Sequence, residues 1–287
     1  MKGIILAGGT GTRLYPLTIV DSKQLLPVYD KPMVYYPMST LMLAGIREIL
    51  VITTPYDANR YKKLFGDGSQ WGISITYAQQ PTPDGLAQAF IIGEEFIGND
   101  SCVMILGDNI FYGERFKNYL TSAIDNLKCG ISSIFGYSVS DPERFGVIDF
   151  DNFGNVISIE EKPKNPKSNY AVTGIYFYTP DVCAKAKEIE PSKRGELEIT
   201  DLNNKYLEER KLKAVLLGNE IKWWDAGTFD SLMDVSEYVR HNSGGYCCYP
   251  EVVAYLNNWI SKEQLVECAN KYKSPYGPTI KNILNAR

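Results

Sequence analysis

The chain has 287 residues, of which 44% are apolar and 22% are charged, and its formal net charge is −4. This length and apolar content suffice for a substantial hydrophobic core in one large domain, with or without a small appendage. The slightly acidic balance lacks the basic surface that nucleic-acid-binding proteins present. We therefore expect no nucleic acid partner, and an anionic substrate has to be met by a local cluster of cations.

The first predicted strand, Gly3–Leu6, runs into a loop rich in glycine. The glycines of this loop are Gly8, Gly9 and Gly11. Without a Cβ, such residues let backbone N–H groups come close to phosphate oxygens, and Arg13 and Lys23 add positive charge. The Walker loop is excluded because it requires Gly-Lys-Ser/Thr, and the dinucleotide fingerprint because Leu14 stands where a small residue is needed. The segment predicts a triphosphate site.

The apolar start of the chain suits a buried strand better than a signal peptide or a membrane span, because it is short, lacks a basic segment before it and ends in glycines. We expect a cytoplasmic protein with no membrane partner. The cysteines show no CxxC spacing, which favours reduced thiols. The adjacent pair Cys247 and Cys248 lacks neighbouring ligands with zinc spacing.

Apolar runs alternate with helical patterns through the first half of the chain, which predicts an α/β fold with a Rossmann-like, mostly parallel mixed sheet flanked by helices. The further strands predicted here are Glu48–Thr53, Ile73–Ala78 and Val103–Leu106, and the helices are Pro37–Ala44, Asp57–Phe65, Leu86–Phe96 and Glu114–Asn126. In such sheets ligands bind beyond the carboxyl ends of the strands. The loops that begin there are GGTGTR, TTPYD, QQPTPDG and GDN, so we expect the site among them.

After Asp108 the pattern becomes rich in strands. The predicted strands are Ile131–Val139, Phe145–Phe150, Val156–Glu161 and Tyr170–Tyr178. A helix is predicted over Thr200–Glu209 with Thr200 as its N-cap, and the pattern from Phe229 onward is helical. We therefore predict one catalytic domain over residues 1–228, with halves of about 1–110 and 111–228, and a small helical appendage over 229–287 for assembly or regulation.

Several motifs follow one another along residues 2–235. They are LAGGTGTRLYPLT, QPTPDGLAQAF, LGDNIFYG, DPERFGV, EEKPKNPKSNYAVTGIYFY, RGELEITDLN and WWDAGTFDSL. In this order they resemble the sugar nucleotidyltransferase family, and within it the glucose-1-phosphate thymidylyltransferases. The resemblance implies that dTTP and glucose 1-phosphate are converted with Mg²⁺ to dTDP-glucose and pyrophosphate, at the head of dTDP-rhamnose synthesis. It also implies a homotetramer, with a nucleotide half and a sugar half of the catalytic domain.

The reaction that this resemblance implies is an in-line attack of a sugar phosphate oxygen on the α-phosphorus of the nucleotide. The nucleophile is already an anion, so no general base is required, which fits a chain whose only histidine, His241, lies outside every motif. Cations have to bring the two anions together and stabilise the leaving group. The predicted cations are Arg13 for the β- and γ-phosphates, Lys23 and Lys162 near the α-phosphate and the sugar phosphate, and Arg194 for the sugar phosphate.

Two aspartates are predicted to hold one Mg²⁺. Asp108 follows a buried strand and Asp225 stands within WWDAGT, and a carboxylate at such a place needs a cation nearby. The family usually has WLDTGT, so Trp224 and Ala226 depart from its pattern and remove a hydroxyl beside the ligand. We expect the metal site to be kept, with altered metal affinity.

Base recognition is assigned to Gln80, whose amide both donates and accepts hydrogen bonds, and to the backbone of Gly85. By resemblance, the nucleotide site is completed by Gly8, Gly11, Thr12, Gln24 and Asn109. The sugar is expected to contact Gly146, Glu161 and Val172, with Glu161 accepting hydrogen bonds from hydroxyls.

Alternatives remain at this stage. Thymine differs from uracil by one methyl group, which is worth only about 1–3 kcal/mol of discrimination, so a uridylyl or cytidylyl transferase is a near alternative. A regulatory subunit that binds sugar nucleotides without catalysis is a different class, disfavoured by the joint presence of cations and metal ligands. A sugar kinase is disfavoured because the Walker lysine is missing.

Overall fold

A computed structural model describes residues 1–9, 11–242 and 248–285, in which there are thirteen strands, eleven α-helices and four short 3₁₀ helices. The strands are β1 (Lys2–Ala7), β2 (Pro27–Val28), β3 (Lys31–Pro32), β4 (Glu48–Thr53), β5 (Ser74–Gln79), β6 (Cys102–Leu106), β7 (Asn109–Tyr112), β8 (Ser132–Ser138), β9 (Gly146–Phe150), β10 (Val156–Glu161), β11 (Tyr170–Tyr178), β12 (Leu212–Leu216) and β13 (Lys222–Asp225). The helices are α1 (Tyr35–Leu43), α2 (Ala58–Phe65), α3 (Gln88–Ile92), α4 (Glu94–Ile97), α5 (Phe116–Lys128), α6 (Val182–Lys187), α7 (Ile199–Glu208), α8 (Phe229–His241), α9 (Pro250–Leu256), α10 (Lys262–Asn270) and α11 (Tyr276–Asn285).

The main sheet has nine strands, with β10-β9-β11-β6-β1-β4-β5 forming one path and β8 and β12 extending from the other edge of β11. Strands β6, β1, β4 and β5 are parallel to one another, whereas β11 runs antiparallel to β6, β8 and β9. This confirms the predicted α/β class with a mixed sheet. Since parallel neighbours end at the same edge, the loops after β1, β5 and β6 come together there.

Helices cover both faces of the sheet, so its central strands are buried on both sides and are almost entirely apolar. Successive side chains of β1 belong to different cores, because a strand points them alternately to opposite faces. Ile5 packs in the larger cluster, with α1, α5 and the C-terminal helices, and Ile4 and Leu6 pack in the smaller one, with α3, α6 and α7. None of the helices among the described residues is long and apolar enough to cross a bilayer.

The predicted strands are found with ends that differ by at most one residue. The helix predicted over Leu86–Phe96 is wrong as one element, because it consists of α3 and α4 separated at Gly93. The N-cap predicted at Thr200 is also wrong. Glu198 occupies the N-cap position without a side-chain cap, and Thr200 lies in the first turn, where its hydroxyl donates to the Glu161 carboxylate and does not serve as the cap that accepts from a backbone N–H. The sequence patterns missed the strands β2, β3, β7, β12 and β13 and the helix α6.

The C-terminal helices share the larger core with the rest of the chain. Helix α1 is buried along its whole length, because it lies between the sheet and α9. Tyr276 of α11 packs against Tyr35 with ring centroids 6.4 Å apart, and Asn257 donates from its amide to the carbonyl of Met42 at 2.8 Å. Helix α8, where the predicted appendage begins, contacts β2 and β13. The boundary at residue 229 stays a prediction.

Candidate active site

Three adjoining cavities lie at the carboxyl edge of the parallel strands. The glycine-loop cavity is lined by Gly8, Gly9, Gly11, Thr12, Arg13, Lys23, Gln24, Asp108 and Gly227. The Gln80 cavity is lined by Leu6, Gly8, Gly9, Gln24, Gln80, Pro83, Gly85, Leu86, Leu106, Asp108 and Glu196. The Glu161 cavity, of about 300 Å³, is lined by side chains from β7, β9, β10, β11 and β13 together with the segment before α7. The predicted site residues therefore lie around one continuous depression.

Lys23 joins the two predicted metal ligands. Its ammonium forms an ion pair with Asp108 Oδ2 and lies 3.7 Å from Asp225 Oδ1. Burial acts to lower the pKa of Lys23, but the two carboxylates together raise it above its ordinary value. Burial likewise acts to raise the pKa of Asp108, yet Lys23 holds it below the ordinary range, whereas burial and the neighbouring Asp108 raise the pKa of Asp225. Two carboxylates are matched here by one ammonium, so the three side chains together carry an excess of negative charge that a cation could neutralise.

A two-stranded sheet brings Asp225 to this place. Strand β13 pairs antiparallel with β7, so that Asp225 stands opposite Asn109, and the N–H of Ala226 donates to the carbonyl of Asp108 at 3.1 Å. Ala226 is completely buried, and the ring of Trp224 packs against that of Tyr238 in α8 with the ring centroids 5.0 Å apart. The two departures from the family pattern are therefore accommodated by packing.

The glycine loop is held by glutamine side chains. Gln24 donates from Nε2 to the carbonyl of Gly8 at 3.1 Å and accepts from the hydroxyl of Ser22 at 2.7 Å. A Cβ on Gly8 would approach Gln80 Oε1 to 2.5 Å, so a larger residue at position 8 would have to displace the Gln80 side chain. Gly11 has φ 61°, a left-handed conformation that glycine adopts without strain.

The amide of Gln80 is already engaged within the protein. Its Nε2 donates to Gln88 Oε1 at 2.7 Å and to the carbonyl of Gly85 at 3.3 Å. Gly85 has φ 108°, and a Cβ there would collide with the backbone of Leu197. Both residues predicted for base recognition thus line the Gln80 cavity, held in place by neighbouring segments.

All five residues predicted for the sugar phosphate side line the Glu161 cavity. They are Gly146, Glu161, Lys162, Val172 and Arg194. Thr200 donates to Glu161 Oε2 at 2.7 Å, and Lys162 Nζ lies 3.1 Å from Glu161 Oε1. The guanidinium of Arg194 binds both oxygens of Glu198, at 2.8 and 2.9 Å, and lies 3.7 Å from Glu161. Its charge is therefore shared among carboxylates.

The backbone of Lys162 adopts φ 45° although the residue is not glycine. Such a conformation costs of order 1–3 kcal/mol and persists only where the surroundings impose it, most often at functional sites. Here the N–H of Lys162 donates to the carbonyl of Phe145 at 2.9 Å, which ties the two sides of the cavity together. Lys162, Arg13 and Asp225 also line a fourth cavity, which shares these residues with the Glu161 cavity.

Sequence reasoning missed several lining residues. Arg144 is the most consequential, because with Arg13 and Lys162 it lines both the Glu161 cavity and the fourth cavity. The others that line the Glu161 cavity are Leu86, Leu106, Phe145, Gly174, Tyr176, Glu196, Glu198, Ile199, Thr200 and Trp223. Arg144 stands in the motif DPERFGV, directly before two residues of the same cavity, so the motif itself carried the signal. Asn109, predicted for the nucleotide, lines the Glu161 cavity.

The loop after β4, the fourth loop expected at the site, lines none of the four cavities described above. Its polar side chains bind each other, since Thr54 donates to Asp57 Oδ2 at 2.7 Å. Of the adjacent cysteines, Cys248 is buried and Cys247 lies outside the described residues. His241 ends α8, with its Nε2 3.7 Å from Glu237.

The chain is similar in sequence to known nucleotidyl transferases. The sequence profile described as Nucleotidyl transferase matches residues 2–242. A glucose-1-phosphate thymidylyltransferase of Neisseria meningitidis is 54% identical over 288 residues, and one of Mycobacterium tuberculosis is 50% identical over 288 residues, each match covering 99% of both chains.

Solved structures agree. A Bacillus anthracis structure described as a glucose-1-phosphate thymidylyltransferase, in complex with sucrose, matches with a TM-score of 0.77 and 46% identity, covering 84% of this chain and 95% of that one. A UDP-glucose pyrophosphorylase complexed with UDP-glucose matches with a TM-score of 0.73 and 26% identity, covering 84% of this chain and 98% of that one. With the profile spanning all three cavities and half the residues shared with these relatives, the chain belongs to the nucleotidyl transferase family, among the glucose-1-phosphate thymidylyltransferases.

Proposed function

We propose that this protein transfers a thymidylyl group from dTTP to glucose 1-phosphate, releasing pyrophosphate and forming dTDP-glucose. One observation carries the proposal. The Lys23–Asp108–Asp225 cluster lies where the cavities adjoin, with Asp108 lining the glycine-loop and Gln80 cavities and Asp225 lining the Glu161 cavity. A nucleotide on one side and a sugar phosphate on the other would meet at this cluster.

The residues suit a reaction between two anions. Arg13 lines both the glycine-loop cavity and the Glu161 cavity, so its guanidinium is available to phosphates from either side. Lys162 and Arg144 add charge on the sugar side, where the attacking oxygen would be held. Since a phosphate monoester is ionised at neutral pH, these residues need to position and neutralise, without removing a proton.

The donor set fits Mg²⁺. Asp108 and Asp225 present carboxylate oxygens on either side of one ammonium, and Mg²⁺ commonly takes one or two protein carboxylates together with substrate oxygens and waters. Within the described part of the chain, no group of three or more His, Cys, Asp or Glu side chains is arranged for a metal, so the substrate phosphates would complete the coordination. When bound, the ion supplies charge neutralisation at the phosphates.

We assign Gln80 and Gly85 to the imide edge of the nucleobase. We assign Glu161 to the hydroxyls of the sugar. We further propose that the protein works in the cytoplasm as a homotetramer at the head of dTDP-rhamnose synthesis, in keeping with the resemblance of its motifs. Gly9, Gly11, Thr12 and Gln24 complete the proposed nucleotide site, and Arg194 the sugar phosphate site.

The test is pyrophosphate release with Mg²⁺ across dTTP, UTP, CTP and ATP, each paired with glucose 1-phosphate, galactose 1-phosphate and N-acetylglucosamine 1-phosphate. We expect dTTP with glucose 1-phosphate to react with the highest kcat/KM. Arg13→Ala is expected to lower that value by roughly 10²–10³-fold, the usual cost of removing one group that stabilises transition-state charge. A better uridine or cytidine pair would assign a relative's specificity, and nucleotide binding without turnover would point to a regulatory subunit.

A further inference from the structure

The side chain of Asn109 is buried and contacts three groups, namely the metal-ligand candidate Asp108, strand β11 and strand β13. Its Oδ1 accepts hydrogen bonds from the N–H of Gly174 at 2.9 Å and from Nε1 of Trp223 at 2.7 Å, and its Nδ2 donates to Asp108 Oδ1 at 3.1 Å. The orientation of this amide is unambiguous. Backbone N–H and indole N–H groups only donate, so the oxygen has to face them and the nitrogen has to face the carboxylate.

The amide occupies a break in the main sheet. Strand β11 pairs with β9 at Ala171 and with β6 from Ile175 onward, so Gly174 lies where β11 changes its partner. The pairing of β11 with β8 is also irregular between Val172 and Tyr176. Asn109 thus supplies the acceptor for a backbone N–H at a place where the strand ladder is interrupted.

Glycine at position 174 leaves space for the Asn109 amide, and a residue with a side chain would not. A Cβ there would come to 2.5 Å from Cγ, 2.6 Å from Oδ1 and 2.7 Å from Nδ2 of Asn109. Real Cβ atoms do not approach heavy atoms this closely, so any side chain at position 174 displaces the amide from the break. The amide and the glycine therefore form one unit.

We infer that Asn109, seated against Gly174, is a positioning residue that sets the orientation of the Asp108 carboxylate. Nδ2 holds one carboxylate oxygen, and the other oxygen is left facing Lys23 and the place proposed for the metal. An aspartate at position 109 could not do this, because it would present a second negative charge to Asp108 instead of a donor. The inference rests on the proposed metal role of Asp108 and adds a residue and a mechanism that act through it.

The test measures Mn²⁺ binding, by the loss of the free-ion electron paramagnetic resonance signal, for the full chain and three variants, Asn109→Ala, Gly174→Ala and the double variant. Outer-sphere partners of metal ligands typically contribute 10–100-fold in metal affinity, so each single variant is expected to weaken Mn²⁺ binding by about that factor. The double variant is expected to be no weaker than Asn109→Ala, because the added Cβ then enters the space that the amide has left.

Gly136→Ala is the matched control. It places the same methyl group in β8 of the same sheet, where a Cβ would approach Leu216 Cδ2 at 2.8 Å and does not meet Asn109. We expect it to change stability but leave Mn²⁺ affinity within about twofold of the parent, well short of the 10-fold effect of a metal-site partner. Asp108→Asn is the reference for a lost ligand.

Unchanged Mn²⁺ affinity in folded Asn109→Ala and Gly174→Ala would overturn the inference and leave these residues a purely structural role. Additive losses in the double variant would overturn the proposed unit, and so would Asp108→Asn binding Mn²⁺ like the parent. The proposed function would fail differently, as an absence of pyrophosphate release by the unmodified chain.

Discussion

At the scale of single residues, Lys23 is the side chain on which most of the site depends. Replacing it with methionine keeps the volume but leaves Asp108 and Asp225 close together without a cation. We expect kcat/KM to fall by roughly 10²–10³-fold. Because the three side chains are partly exposed, we expect the free energy of unfolding to fall by about 1–3 kcal/mol, between the cost of losing a surface ion pair and that of breaking a fully buried one. Steady-state pyrophosphate release and urea denaturation measure the two effects.

Lys23→Met should also change how strongly Mg²⁺ stabilises the protein. Because the carboxylates lose their counter-charge, Mg²⁺ should raise the thermal stability of Lys23→Met more than that of the parent. Lys128→Met, at an exposed lysine paired with Asp125 on α5, is the control and should behave like the parent in both assays. Equal Mg²⁺ stabilisation of Lys23→Met and the parent would argue against the metal assignment.

At the scale of elements, the C-terminal helices are joined to the hairpin β2–β3 by a cluster of buried polar and aromatic groups. The ammonium of Lys31 lies 4.0 Å from the ring centroid of Tyr249 and 2.6 Å from Asp30. Beside it, Glu251 of α9 accepts hydrogen bonds from Tyr272 at 3.1 Å and from Tyr276 at 2.9 Å. The hairpin follows directly on the segment of Lys23, so these contacts also support the site.

Complete burial raises the pKa of Glu251 above its ordinary value of 4.5, although the two tyrosine hydroxyls and Lys31 oppose the shift. Between the unfolded and the folded pKa, the folded state binds more protons, so the stabilising contribution of Glu251 is fully present below the unfolded pKa and is lost as pH rises. Glu251→Gln removes this titration. We therefore expect the free energy of unfolding of the variant, relative to the parent, to increase from about pH 5 to about pH 8.

Urea denaturation of both proteins across this pH range measures the effect, and each unit of pKa elevation corresponds to about 1.4 kcal/mol. Glu208→Gln, at an exposed position of α7, is the matched control and should show a difference that does not vary with pH. If the difference for Glu251→Gln were equally flat, Glu251 would not titrate above its ordinary range in the folded protein.

At the scale of the whole molecule, the helices beyond residue 242 belong to the same core as the catalytic strands. Their buried side chains include Tyr249, Val252, Val253, Leu265, Ile280 and Ile283. Removing such groups forfeits about 1.5–3 kcal/mol of burial each, against a total stability of about 5–15 kcal/mol. A chain ended at Asn242 is therefore expected to lose cooperative unfolding, measured by circular dichroism. A truncated protein that unfolds cooperatively and binds dTTP would establish an independent catalytic domain.

Much of this architecture could be predicted from the sequence. Strands such as β1 and β4 are continuous apolar runs because both their faces are buried, and the glycine loop carries its own signal because φ values such as that of Gly11 demand glycine. Because parallel strands end on the same side, all four expected loops lie at one edge, and three of them line the cavities. These features are local, or follow from one rule of topology.

Other features depend on contacts between distant segments, and local patterns carry no record of them. Asp225 meets Lys23 only because β13 pairs with β7, and the hydroxyl of Thr200 leaves the helix end because Glu161 lies across from it. Asn109 lies in a break that exists only where β11 changes partners. The sequence alone determined the fold class and many of the residues that line the cavities, because both follow from local patterns and from the order of the motifs. Which of those residues hold one another in place was decided by the tertiary structure, because such contacts require non-local strand pairing.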